Sequence, residues 1–300
     1  MPELPEVQTT VDGINTVAKN RNIIDTWTDF KSEAKMFSST IKNPKYFQNF
    51  KKAIKGAKIA KAERRAKNVL IHLNNKETIL IHMKMTGHIM YGKYVYDKKK
   101  NSWGPEKGQT ALEDPYNRFV HLVFTLDNGK HLVLADTRKF AKVILLDDET
   151  RKDIDLLGPE PLSDDFTFDV FSKNINRCQN KYIKTSLMDP RLVAGIGNIY
   201  SDEILHEAKI LPERTVSSLS RVDLKNIYKN IKPLLLRGID FGGDSMSDYR
   251  NIYGEKGRFQ TKHRVYRRKG EDCVRQGCTG IIERTIVNGR SAHFCRICQK

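Results

Sequence analysis

The residues with the plainest chemical potential stand at the start of the chain, Met1-Pro2-Glu3-Leu4-Pro5-Glu6-Val7. If Met1 is removed, Pro2 carries a free secondary amine flanked by two carboxylates, Glu3 and Glu6. A terminal amine titrates at about 7.7–8.0, so a usable fraction is unprotonated near neutral pH. Such an amine can attack a carbon that bears a leaving group. Prolines followed by acids also begin many helices, because Pro suits the first turn and acids suit the positive end of the dipole. The seven residues alone do not separate nucleophile from helix punctuation.

A second constellation lies at the other end. Cys273-x4-Cys278-x16-Cys295-x2-Cys298 has the two-pair spacing of a four-thiolate zinc site. Four sulfur ligands leave no open position, so a zinc ion there would be structural. Ile281–Val287 and Ser291–Phe294, turning at Asn288-Gly289, predict a hairpin that presents Arg290 just past its tip. The fifth cysteine, Cys178, reads as a packed thiol. A third signal is Gly195-Ile196-Gly197-Asn198, a backbone-exposed turn with Asn198 as cap of the following helix. Such a turn can grip phosphate through N–H groups, although a purely structural glycine-rich connection would look similar. Lys184 before it and the basic hairpin after it favour a DNA-backbone clamp.

These residues must be carried by a chain of 300 residues with 53 basic and 36 acidic side chains, a net charge of +17. The excess suits a polyanionic partner, nucleic acid first, against the alternative of a merely basic solvated surface. No apolar run of about 18 residues or more is present, so no membrane span is expected. The acidic N-terminus does not resemble a signal peptide, which implies a cytoplasmic or nucleoid location. In that reducing setting cysteines serve metals or remain free thiols.

Val7, Val11, Ile14 and Ala18 recur at helical spacing, so Pro5 opens an amphipathic helix. Residues 21–66 are Lys-rich and loosely periodic. Strand patterns follow: 69–73 and 78–83 around an Asn74-Asn75 turn, then 120–126 and 131–134 around Asp127-Asn128-Gly129, then 143–146. A two-layer β-sandwich is the expected architecture, with 91–118 an insertion-prone polar loop. Leu157-Gly158-Pro159-Glu160-Pro161-Leu162 punctuates a linker over 151–165. The second half is helical, and Ser220 with Asp223 predicts a capping-box start. The expected fold class is α+β: a sandwich domain over 1–150, a helical domain over 166–262 and a zinc finger over 263–300.

The chain resembles the bacterial formamidopyrimidine-DNA glycosylases. The matching stretches, in order, are Pro2–Val7, Arg64-Arg65-Ala66-Lys67, His82-Met83-Lys84-Met85-Thr86-Gly87, Asp136-Thr137-Arg138-Lys139-Phe140, Leu157–Leu162, Ile183-Lys184, Leu187-Met188-Asp189, Gly195–Tyr200 and the hairpin ending His293-Phe294-Cys295. The resemblance implies a helix–two-turn–helix motif, one structural Zn2+, and damaged double-stranded DNA held by a monomer. It implies excision of oxidised purines, with the Pro2 nitrogen attacking C1′ and the resulting iminium driving strand cleavage by β,δ-elimination. Glu3 would act as acid and base. Lys67 would meet phosphate and assist proton transfer, and Arg290 would grip the phosphates flanking the lesion. Met85, Arg138 and Phe140 match the wedge that fills the gap left by a flipped nucleotide. Lys184, Asn198 and Tyr200 fall on the DNA-contacting surface, and Asn117 aligns with a His that contacts DNA in relatives.

The chain departs from the family in several places. The first cysteine pair is spaced by four residues where two is usual, and Asp-Pro-Arg-Arg-Phe-Gly is replaced by Asp136-Thr137-Arg138-Lys139-Phe140-Ala141. A basic phosphate contact falls on Gln179, and the loop over the flipped base, about 244–260, has Ser247 where relatives often carry Arg. An endonuclease VIII-type enzyme for oxidised pyrimidines is the nearest rival. Leu4, where that group usually has Gly, and the full-length 244–260 loop favour the purine enzyme. A non-enzymatic DNA-binding protein is the rival from another class, and a retained Met1 would favour it.

Overall fold

Leu132–Ala135 form a continuous apolar run with no polar alternation, because both faces of that strand are covered. A computed structural model describes every residue of the chain except Ser247, on which one departure noted above falls. The chain divides into two compact units, Met1–Arg151 with Phe241–Arg258, and Lys152–Asp240 with Phe259–Lys300.

In the first unit, α1 (Leu4–Val17) is followed by β1 (Ile23–Thr28), α2 (Pro44–Ile54), β2 (Ile59–Arg65), β3 (Asn68–Leu73), β4 (Thr78–His82), β5 (Gly87–Gly92), β6 (Tyr94–Asp97), β7 (Ser102–Pro105), β8 (Val120–Leu126), β9 (His131–Asp136) and β10 (Lys142–Leu145). Two four-stranded antiparallel sheets form, ordered β1-β8-β9-β5 and β10-β4-β3-β2. Their inner faces share one core with α1 and α2, in which Leu132 and Leu134 meet Val69, Ile71, Ile81, Val11, Ile14 and Phe50. Successive strand residues point to opposite faces, so Val133 and Ala135 line a second core outside the first sheet.

That second core corrects the loop expected over 91–118. The stretch is a folded hairpin, β6 against β7, followed by the 3-10 turn Pro115–Arg118. Trp103 packs 5.4 Å from Tyr96 and 4.9 Å from His131, and Trp27 meets both Tyr96 and Trp103. Aromatic packing of this kind turns a polar-looking insertion into sheet cover. The Lys-rich 21–66 stretch likewise holds β1, α2 and β2, because Lys51 and Lys55 flank a buried Phe50–Ile54 face.

Helix α3 (Asp148–Asp155) runs across the boundary between the units. In the second unit follow α4 (Phe168–Ile175), α5 (Ile183–Met188), α6 (Asn198–Glu207), α7 (Arg221–Asp240) and the hairpin β11 (Ile282–Val287) with β12 (Arg290–Cys295). The α7 start is reciprocal: Ser220 N donates to the Asp223 carboxylate at 3.0 Å and Asp223 N donates to Ser220 Oγ at 3.1 Å. Two boundaries differ from expectation. Leu157–Leu162 is no free linker, since Gly158 N donates to Pro190 O at 2.8 Å, and a Cβ on Gly158 would lie 2.7 Å from Leu192 C. Residues 241–258, placed with the helices from sequence, fold onto the first unit because Tyr249 and Ile252 bury there. Among the described residues no helix is long and apolar enough to cross a membrane.

Candidate active site and metal centre

Pro2 is buried, while Met1 before it is 42% exposed. The helix behind them begins as expected, with Pro5 in its first turn and Glu3 at the N-cap. Glu3 and Glu6 form a capping box in which Glu6 Oε2 accepts from Glu3 N at 2.8 Å. Glu6 Oε1 accepts from Asp244 N at 2.7 Å. Burial, and then the neighbouring Glu3, push the Glu6 carboxyl up to about 7, against the pull of the two N–H donors. The nook beside Pro2 therefore contains a carboxyl that can hold or release a proton at neutral pH.

Lys67 sits in the two-residue turn between β2 and β3, where Ala66 takes the left-handed conformation at φ 54°. It is half-buried at the sheet end that carries His82. Burial first, then Lys84 and Lys67, hold the His82 imidazole down to about 3, so this ring stays neutral. Its Nδ1 accepts from Lys84 N at 3.0 Å.

Met85, Arg138 and Phe140, expected from sequence to form a wedge, project from two loops that Asp136 joins. The wholly buried Asp136 carboxylate accepts from Thr86 Oγ1, from Arg138 N at 3.2 Å and from Ala141 N at 2.7 Å. Lys84 (φ 58°) and Lys139 (φ 56°), both left-handed, adjoin Met85 and Phe140. Non-glycine residues adopt that region at a cost, so the surrounding hydrogen bonds must hold them there. Met85 is 42% and Phe140 48% exposed, and the Arg138 guanidinium stacks 4.4 Å from the Phe140 ring centre. Met1, Lys84, Met85, Arg138 and Phe140 line one pocket of about 670 Å³, with Phe37 and Lys42 on its wall. The structure thus brings Met1 and the three residues expected to form a wedge to one cavity. His82, Lys84 and Lys42 were not singled out from sequence. The first two lie inside a motif that was, whereas Lys42 has no local signal because it arrives from the Lys-rich stretch.

In the second unit Lys184 is buried, with its ammonium paired to Asp202 and donating to Ser201 Oγ at 3.3 Å. The other Asp202 oxygen accepts from His293 N at 2.9 Å and faces His293 Nδ1 at 3.0 Å, which ties α6 to β12. Asn198 is the first residue of α6 and Gly197 is the cap, a correction to the expected Asn cap. The Asn198 amide donates to Ser291 Oγ at 3.2 Å, next to Arg290. Arg290 pairs with Val287 across a two-residue turn whose Asn288 and Gly289 both have positive φ, as that turn requires. Lys184, Arg191, Asn288 and Arg290 line a second pocket of about 460 Å³. Arg191 was missed from sequence, since an Arg after Asp-Pro has no chemical signature of its own.

The Sγ atoms of Cys273, Cys278, Cys295 and Cys298 all lie within 4.8 Å of one another. Tetrahedral ligation at a Zn–S distance of about 2.3 Å puts sulfurs about 3.8 Å apart. Cys273–Cys298 at 3.8 Å and Cys278–Cys295 at 3.5 Å fit that edge, so the four can hold a metal ion. His206 of α6 reaches Cys273 Sγ with Nε2 at 3.5 Å. Gly280 permits the closure, because a Cβ there would lie 2.4 Å from Cys295 Sγ.

Residues 1–143 match the model of the formamidopyrimidine-DNA glycosylase N-terminal domain, and residues 157–250 match that of the formamidopyrimidine-DNA glycosylase H2TH domain. The chain belongs to the formamidopyrimidine-DNA glycosylase family. Formamidopyrimidine-DNA glycosylases of Heliobacterium modesticaldum and Herpetosiphon aurantiacus are 37% identical over 303 residues and 36% identical over 300, each covering 100% of both chains. The Fpg of Lactococcus lactis, solved in complex with DNA containing an abasic site, superposes with a TM-score of 0.81 at 28% identity over 99% of each chain.

For a formamidopyrimidine-DNA glycosylase, two of the contacts expected from sequence are out of place. Asn117 is wholly buried, with its Oδ1 on His88 Nε2 at 2.9 Å and its Nδ2 donating to Ala111 O and Gly254 O, so it is a strut and not a DNA contact. Tyr200 is wholly buried and stacks 5.1 Å from Phe259 at 20°, so its ring packs the second unit. Tyr200 stands in a matching motif and Asn117 only at an aligned position in the 91–118 stretch, and neither placement distinguishes a packed side chain from a presented one.

Proposed function

We propose that this DNA glycosylase removes oxidised purines, 8-oxoguanine and formamidopyrimidines, from double-stranded DNA and then cleaves the abasic strand. The Pro2 nitrogen, freed of Met1, forms a bond to C1′ as the bond from C1′ to the base breaks and the base leaves with a proton. Glu3 gives a proton to the ring oxygen as the sugar opens to a Pro2 iminium. A secondary amine gives an iminium that stays cationic at every pH, so it acts as an electron sink. Loss of a C2′ proton then expels the 3′ phosphate, and a further proton loss expels the 5′ phosphate. Lys67 meets phosphate and relays protons, Arg290 holds the flanking phosphates with Lys184 and Asn198 behind it, and Met85, Arg138 and Phe140 fill the emptied stack. A Zn2+ on the four cysteines fixes the hairpin that carries Arg290. One chain is sufficient for this chemistry.

The observation that carries the reading is the single cavity lined by Met1, Met85, Arg138 and Phe140. A wedge beside the N-terminus has a use only if the N-terminus must meet a flipped nucleotide. Borohydride trapping on a duplex with 8-oxoguanine opposite cytosine is the test. A covalent adduct mapped to Pro2 is expected, with P2G reducing base release by on the order of 10³-fold. Attachment elsewhere, or no adduct from Met1-free protein, sinks the mechanism. Preference for thymine glycol opposite adenine transfers the chain to the oxidised-pyrimidine reading.

A further inference from the structure

The segment Phe241–Arg258 leaves α7 and folds onto the first unit. Its far end rests on Arg250, the largest fully buried side chain of the described residues. Arg250 Nη2 donates to both carboxylate oxygens of Asp114 at 3.0 Å, Nη1 donates to Tyr249 O at 2.9 Å, and the guanidinium lies 4.8 Å from the Tyr116 ring centre. Two further ties run alongside: Asn117 Nδ2 donates to Gly254 O at 3.0 Å, and Tyr91 N donates to Ile252 O at 2.7 Å. Gly254 lies so close that a Cβ would sit 2.8 Å from Leu112 Cδ2, at a φ of +84°.

The near end of the same segment rests on the nook beside Pro2. Asp244 N donates to Glu6 Oε1, and Tyr249, the residue before Arg250, donates from its hydroxyl to Glu6 O at 3.0 Å. Asp244 and Ser245 are buried there, and Ser245 Oγ bridges Tyr249 O at 2.7 Å and Gly257 N at 2.8 Å. These contacts bring carboxyl, hydroxyl and backbone groups of the segment against Glu6, four residues from Pro2 in the chain. In this ion pair the guanidinium is wholly buried while Asp114 is partly exposed, and a charge held inside in this way is best attested as a means of fixing one geometry.

We propose that Asp114 and Arg250 are a positioning pair that sets the 241–258 segment against Glu6 and so determines which damaged bases the site accepts. The inference rests on the reading of Pro2 as nucleophile. Both residues act through the segment they hold, so the effect shows only when a base is present to be read. Single-turnover excision of 8-oxoguanine and of a formamidopyrimidine is compared with cleavage of a preformed abasic site, which has no base, for wild type, R250M, R250K and D114N. Excision is expected to fall about tenfold in R250M and D114N. Abasic-site cleavage stays within about twofold of wild type, and R250K recovers part of the excision. Parallel loss of both activities in D114N, or no loss in either variant, overturns the proposal. D114N keeps an acceptor for Arg250 and decides the matter if R250M does not fold. Failure of wild type on the abasic site refutes the Pro2 mechanism instead and is read separately.

Discussion

Glu6 shows how one side chain can serve structure and chemistry at once. Both of its oxygens accept backbone N–H bonds, which favour the carboxylate, while burial and Glu3 favour the acid and leave it at about 7. In the unfolded chain a Glu titrates at about 4.3. Between these values the folded state binds more protons than the unfolded one, so stability falls as pH rises through that window and levels off above it. The span is about 4 kcal/mol at most. Denaturant midpoints at pH 5 and pH 8 should differ more in wild type than in E6Q, which cannot titrate. Identical pH dependence in the two proteins refutes the assignment. The pairing of Glu3 with Glu6 was legible as spacing, but the shift was not, because it comes first from burial, which only the fold supplies.

At the scale of elements, the placement of Met85, Arg138 and Phe140, the proposed wedge, is a property of Asp136 more than of the residues that protrude. Three donors converge on its buried carboxylate, and two left-handed lysines turn the loops that carry Met85 and Phe140. D136A leaves those donors without their acceptor, and unfolding midpoints should report a loss of about 3 kcal/mol. Base excision should fall with it, and an unchanged midpoint contradicts the role. The departure from the family at Thr137, Lys139 and Ala141 leaves Asp136 itself in place. Strands and hairpins were readable where polar and apolar residues alternate or where Asn-Gly and Asp-Asn-Gly supply turns. The hairpin β6–β7 was not, since its cover is aromatic and its partners, Trp27 and His131, lie in distant strands. Buried Asn117 and Tyr200 show the same limit: sequence gives the residue type, and only packing decides which way it faces.

For the whole molecule, the cysteine cluster closes the C-terminal end of the second unit. Gln299 Nε2 donates to Ile210 O at 2.7 Å and Leu211 N donates to Lys300 O at 3.0 Å, so the knuckle and the end of α6 hold each other. Native mass spectrometry should find one zinc per chain. Stripping it should remove stability on the order of 10 kcal/mol from that unit and weaken DNA binding. Metal-free protein with unchanged affinity and unfolding contradicts the assignment. The ligand set was plain from spacing alone, whereas the support from His206 and the requirement for Gly280 emerged only with the fold.

The aromatic cover of the first sheet has an experimental consequence. The chain has two tryptophans, Trp27 and Trp103, and they pack 6.5 Å apart in the same cluster of the first unit. Intrinsic indole emission is therefore a spectroscopic channel for one unit alone. A denaturation curve followed at that wavelength reports the sandwich, and zinc release into a chromogenic chelator reports the other half in the same cuvette.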